Sequence, residues 1–380
     1  MALNRKLKRW GKRLARALNR NRHILLPEWR TVTDLPHGPG IAMTVEEQEV
    51  WFSSPDADLH PTPEAAVCLL APWCVHHNLN LRLVGKLPAP AFLANVHSAT
   101  TLMGSWWGHR PVTYQTDGPL DLPSPASPPT LEGDTGLFFS GGVDSFYSLV
   151  QNPDIRVILF VVGFDIPLAN RAAWEARIRC YREVAHARGI TLVTVFTNLR
   201  ERFLNGMSWS QHHGCALTAV AHSLGTLASR WLISASFFPG FIMPWGTHPD
   251  LDWRWGSDST SFQHFGIDRW RGEKLAAMAD EDFVHRNLHV CYANPDGSGD
   301  CGKCEKCVRT RLTYHCEIPG RRCSQMPDSP PLLQAIDGID RLPNHALVLV
   351  WEHFCQFLPA GDPLSVAVEQ LLKRSRAGLR

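Results

Sequence analysis

The sequence predicts an α/β protein built on a doubly wound, mainly parallel sheet, with a small α+β module ahead of it and a metal knot behind it. Three observations carry this. Short apolar runs alternate with helical stretches after residue 135, a Pro-rich break precedes them, and a glycine loop joins the first run to the helix that follows. With 380 residues, 44% of them hydrophobic, the chain can fill one large domain or two ordinary ones.

The apolar runs are residues 136–139, 157–162, 191–196 and 231–235, and the helices between them are expected at 144–151, 171–188 and 214–230. Earlier in the chain, residues 49–52, 81–84 and 111–115 read as strands and 63–77 and 91–106 as helices, which makes a small module of residues 31–116. Pro119, Pro123, Pro125, Pro128 and Pro129 lie in 117–134 among Ser, Thr and Gly, the composition of a linker. The domain boundary is placed there. Residues 135–320 then form the main domain and 321–380 a C-terminal helical segment.

Residues 1–30 are a basic arm. The first 22 residues carry nine Lys or Arg and no acid, so the formal net charge of +2 conceals an acidic remainder. Leu3, Leu7, Trp10, Leu14 and Leu18 recur at helical spacing and predict an amphipathic helix. It has three readings: a solvated arm that orders on contact, a binder of nucleic acid or an anionic surface, or a segment packed on its own domain. The longest apolar stretch, 231–245, is interrupted by Ser, Gly and Pro and falls short of a membrane span. No secretory signal opens the chain, and a cytoplasmic protein is expected.

The loop Ser140-Gly141-Gly142-Val143-Asp144-Ser145 follows an apolar run and opens a helix. Adjacent glycines let the backbone approach a ligand, and a helix start offers free N–H groups to an anion. Ser140 and Ser145 add hydroxyl donors. Asp144 either caps the helix or holds a magnesium ion on the phosphates.

This hexapeptide resembles the signature of the PP-loop, or N-type ATP pyrophosphatase, superfamily, and every position is matched. It lacks the Gly-Lys-Ser/Thr ending of a Walker A loop. The resemblance implies cleavage of ATP between its α- and β-phosphates through an adenylate, with Asp144 and Ser145 at the reaction and Gly163 and Phe164, at the end of the second strand, cupping the adenine.

Cys291, Cys301, Cys304 and Cys307 follow about 150 residues later. Four thiolates at this spacing suit structural zinc, with an iron–sulfur cluster as competitor. The other seven of the eleven cysteines read as buried small apolar residues. His289 and His315 flank the knot. The two motifs together resemble the 7-cyano-7-deazaguanine synthase family of the queuosine pathway. That resemblance implies an AMP- and pyrophosphate-forming carbon–nitrogen ligase that uses ATP and Mg2+ to activate a deazaguanine carboxylate for ammonia, with zinc as a brace.

Lys274 occupies a place similar to the lysine that opens the helix before the knot in that family, and with Arg269 and Arg271 it is a phosphate candidate. Residues 245–258 carry three Trp and three Asp among them and offer either a stacking pocket for a base or a packed loop. His213, near a helix start, is read as bonded to backbone or as a base. The module and the arm have no counterpart in the synthase family, so an amine on a protein or peptide docked by the module, a tRNA base carbonyl as acceptor, or a non-enzymatic nucleotide-binding role in a defence or regulatory complex stay open. A homodimer is expected.

Overall fold

The computed structural model describes residues 22–126, 131–291 and 299–379. The amphipathic helix read in the basic arm lies outside the described residues. In chain order the N-terminal part comprises His23–Leu25 (β1), Arg30–Val32 (β2), Gly40–Val45 (β3), Gln48–Ser53 (β4), Pro63–His77 (α1), Asn80–Arg82 (β5), Pro90–Trp107 (α2) and Tyr114–Gln115 (β6). Thr135–Phe138 (β7), Val143–Gln151 (α3), Ile155–Val162 (β8), Arg171–Arg188 (α4), Thr191–Thr197 (β9), Leu199–Arg202 (α5), Trp209–Ser223 (α6), Arg230–Ser234 (β10) and Ser261–Phe265 (β11) follow. The chain ends in helices Arg271–Ala276 (α7), Asp282–Asn287 (α8), Glu305–Glu317 (α9), Leu332–Asp337 (α10), His345–His353 (α11) and Pro363–Gly378 (α12).

Eight strands form the main sheet in the order β11-β10-β7-β8-β9-β4-β3-β2, and β1, β5 and β6 form a small parallel sheet. Strands β7 to β11 are all parallel. The chain moves outward from β7 through β8 to β9 on one side, then returns to β10 and β11 on the other. The order therefore reverses at β7, where open α/β sheets form a crevice beyond the strand ends. The apolar run of β8 explains its central place, since only Arg156 of its eight residues is exposed.

Alternate residues of the strands feed two cores. Phe138, Val157, Leu159 and Val193 pack under α1, α2 and α6, while Leu137, Ile158, Phe160 and Val162 pack under α3, α4 and α7. Helix α1 is apolar on every side because it is enclosed on every side, and Thr62 caps it through the Ala65 amide. Helices α10 to α12 bury Ile336, Trp351 and Leu371 against Val308 and Leu312 of α9.

Four expectations are corrected. The module 31–116 is not a separate body, because β4 pairs antiparallel with β9 at Phe52↔Thr197 and Ser53↔Phe196. The hairpin covers an edge that five parallel strands would leave open, so the sheet is mixed. The helix expected at 214–230 runs from Trp209 to Ser223, and a 3-10 turn at Gly225–Leu227 interrupts its hydrogen-bond ladder before β10. The first part of the linker, residues 117–126, is tied down: Asn95 exchanges two hydrogen bonds with the backbone of Ala126, and Arg82 pairs with Asp117. Strand β11 is missing from the sequence reading. Its residues, Ser-Phe-Gln-His-Phe, carry only two apolar side chains, and parallel pairing with β10 makes it a strand. Among the described residues no helix is long and apolar enough to cross a membrane.

Candidate functional site

Strand β7 delivers Ser140 to Ser145 to the reversal point of the sheet. Gly141 adopts φ +70°, and a Cβ there would overlap the Tyr181 hydroxyl, so the turn requires glycine. Tyr181 Oη donates to the Ser140 carbonyl at 2.7 Å, and the His289 amide donates to the Gly141 carbonyl at 2.9 Å. The loop is thus held from α4 and from the segment leading to the cysteines. Ser145 donates to the Gly142 carbonyl at 3.1 Å and lies 3.3 Å from the Ser140 hydroxyl. Gly142 is the residue just before α3 and no side chain caps that helix, which leaves its amide end to a ligand or solvent.

Asp144 forms an ion pair with Arg271 at 2.5 Å and another with Lys274 at 3.0 Å. Lys274 is 1% exposed and also donates to the Ala235 carbonyl at 2.7 Å. Burial alone raises the Asp144 pKa, but Arg271 and Lys274 outweigh it and hold the carboxyl at about 2. It is therefore ionised and occupied by two cations, and it does not cap the helix. Arg269, the third cation proposed with them, is exposed and lies beside Asp268 instead.

Lys306 and Arg309 on α9 join this group. Burial first, then Arg271 and Arg309, lower the Lys306 pKa, while Asp144 opposes them. Arg309 pairs with Glu305 at 3.0 Å, and Lys306 makes no ion pair among the described residues. Four cations thus gather beside the loop with only two carboxylates in contact with them. Sequence reasoning missed Lys306, Arg309 and Tyr181, whereas His289 was already noted as flanking the knot. The one available signal was that Lys306 lies between two cysteines already singled out.

The sulfurs of Cys291, Cys301, Cys304 and Cys307 all lie within 4.8 Å of one another. Four sulfurs about 2.3 Å from one ion would be about 3.8 Å apart along each tetrahedron edge. The separations of 3.8 Å for Cys291–Cys304 and 3.9 Å for Cys301–Cys307 fit that figure, so the group can hold a metal ion such as zinc. Cys304 is the first residue before α9, and its amide donates to the Cys301 sulfur at 3.3 Å. The hydrogen bond with Cys307, against the opposing effect of burial, lowers the Cys304 pKa. Buried Asp300 accepts from the Val290 and Cys291 amides and lies 2.6 Å from His289 Nδ1, which fixes the segment entering the knot. The reading of the other cysteines needs one correction: Cys355 is exposed, and Cys180 and Cys316 are half-buried.

At the end of β8, Gly163 has φ +102° and a Cβ would overlap the Thr197 carbonyl. Phe164 is 4% exposed with its ring 5.0 Å from Trp209, and Arg200 donates to its carbonyl. Gly163 and Phe164 therefore border the crevice through backbone, with the Phe164 ring turned inward. In residues 245–258, Asp252 is fully buried and binds His264 Nδ1 at 2.7 Å, and Trp255 is also buried. Those two side chains pack the loop rather than line a pocket. His213 contacts the Trp209 carbonyl through Nδ1 and the Thr247 hydroxyl through Nε2, so both ring nitrogens are engaged.

No family model, curated protein or solved structure matches this chain.

Proposed function

We propose that the chain binds ATP with its phosphates on Ser140 to Ser145 and catalyses attack of a substrate carboxylate on the α-phosphorus. The carboxylate oxygen forms the new P–O bond, the bond between the α-phosphorus and the bridging oxygen breaks, and pyrophosphate leaves. Ammonia or another amine then attacks the acyl carbon of the adenylate, and AMP departs to give an amide. With a deazaguanine carboxylate, a second activation of the amide gives a nitrile. Magnesium, when bound, would neutralise phosphate charge.

The observation that carries this reading is the meeting of Asp144 with Arg271 and Lys274, about 130 residues apart in sequence, at a glycine loop opening a helix. A loop with this many cations suits a polyanion. Arg271 and Lys274 would stabilise the charge that develops on the five-coordinate phosphorus, and the loop amides would hold the phosphates in line for attack. The four-cysteine group would act at a distance, since Cys304 starts the helix that carries Lys306 and Arg309 to the loop.

The test is to supply purified protein with ATP, magnesium, ammonia and 7-carboxy-7-deazaguanine, and to measure pyrophosphate release and products by mass spectrometry. An adenylate, amide or nitrile of that acid is expected. Pyrophosphate release with a different acid would keep the ligase and discard the deazaguanine. Absence of pyrophosphate release with every acid offered would discard the ligase.

A further inference from the structure

Arg177 is 5% exposed, and its Nη1 is sealed from solvent without a hydrogen-bond partner. Among the described residues its guanidinium makes no hydrogen bond and no ion pair. Its charge acts on Cys180 and Tyr181 on its own helix and on Cys323 on the segment after α9; Glu183, Asp165 and Asp300 act on the same groups, but none of these carboxylates comes within ion-pair distance of the guanidinium. A guanidinium cannot shed its proton in a protein, and a buried charge left uncompensated is among the costliest arrangements a fold can hold.

Its position says what would compensate it. Helix α4 starts just beyond the carboxyl end of β8 and runs down the sheet toward the start of β9. Tyr181, one turn further along the same face, already touches the phosphate loop through the Ser140 carbonyl. Arg177 is thus one turn nearer the ligand edge than a residue in contact with the loop, and helical side chains lean toward the helix start, here that same edge. Arg271 and Lys274 approach the loop from α7.

We infer that Arg177 is a second anion-binding group of the loop, which contacts the polyphosphate of a nucleotide from the α4 side; this rests on the nucleotide reading above. A planar guanidinium suits two phosphate oxygens at once, a geometry lysine cannot reproduce. A rival partner is Asp296, in residues 292–298, which lie outside the described residues.

The experiment is calorimetric titration of full-length wild type, Arg177→Gln, Arg177→Lys and Arg271→Gln with inorganic pyrophosphate, ATP and adenosine, together with thermal unfolding of each without ligand. Arg177→Gln is expected to weaken pyrophosphate and ATP by about ten- to a hundredfold, the loss of one charge-assisted contact, with adenosine unchanged and no fall in melting temperature. Arg177→Lys should recover part of the affinity. Unchanged pyrophosphate affinity in Arg177→Gln, with loss in Arg271→Gln, overturns this inference and leaves the nucleotide reading intact. Equal, non-additive falls in melting temperature for Arg177→Gln and Asp296→Asn assign Arg177 to an internal ion pair and also overturn it. Wild type that binds neither pyrophosphate nor ATP removes both.

Discussion

Asp144→Asn measures the electrostatic hold on the glycine loop. The side chain is 14% exposed and its carboxyl sits at about 2 rather than the ordinary 3.8. At about 1.4 kcal/mol per pKa unit, the ionised carboxylate contributes about 2 kcal/mol to the folded state. Because the folded pKa lies below the unfolded one, that contribution is complete above about pH 4 to 5 and is lost as the pH falls toward 2. The variant should therefore unfold about 2 kcal/mol more easily than wild type at pH 7 and equally at about pH 2. Urea unfolding followed by tryptophan fluorescence across this range gives the difference directly. Thiol protonation in acid affects both proteins, so it cancels in the comparison. A zero difference at neutral pH, or one of the same size at both ends, would refute the argument that Arg271 and Lys274 hold an ionised Asp144. Pyrophosphate release should fall by about a hundredfold in the same variant.

Gly141→Ala should destabilise the protein by about 2 kcal/mol, because φ is +70° and the methyl meets Tyr181, and it should abolish nucleotide binding. Adding Tyr181→Phe should restore part of that stability in chemical denaturation, although Tyr181→Phe alone loses a hydrogen bond. Metal analysis should find one ion per chain in wild type and less in Cys304→Ser. Chelation should lower the melting temperature and loosen α9, read as faster hydrogen exchange at Lys306 and Arg309. Burial, then Glu273, raises the Glu317 pKa to about 7, so Glu317 favours folding less as the pH climbs from about 4.5 to 7. Glu317→Gln should be more stable than wild type at pH 8, by about 1 to 2 kcal/mol after allowing for partial solvent exposure, and should show no such gain at pH 4. An unchanged melting curve at pH 8 would count against the half-buried, ionised Glu317.

Local periodicity made the helices Pro63–His77 and Arg171–Arg188 legible to the residue, and β8 nearly so, because each is long and strongly patterned. The knot was legible too, since thiolate spacing is itself a local property. Strand β11 and the union of β4 with β9 were not, because pairing partners far apart in sequence decide both. The same reason hid Arg177 and Tyr181, which are ordinary helix residues until α4 is laid beside the loop.

By itself the sequence determined an α/β chain, a glycine loop between strand and helix, and four cysteines spaced for a metal. Those features depend on neighbours within a few residues or on a repeated pattern. Only the tertiary structure decided that Arg271 and Lys274 close on Asp144, that Arg269 does not, and that Asp252 is buried against His264 rather than offered to a ligand. Charge pairing depends on distance in space, and the sheet order, with its reversal at β7, sets which distant segments meet.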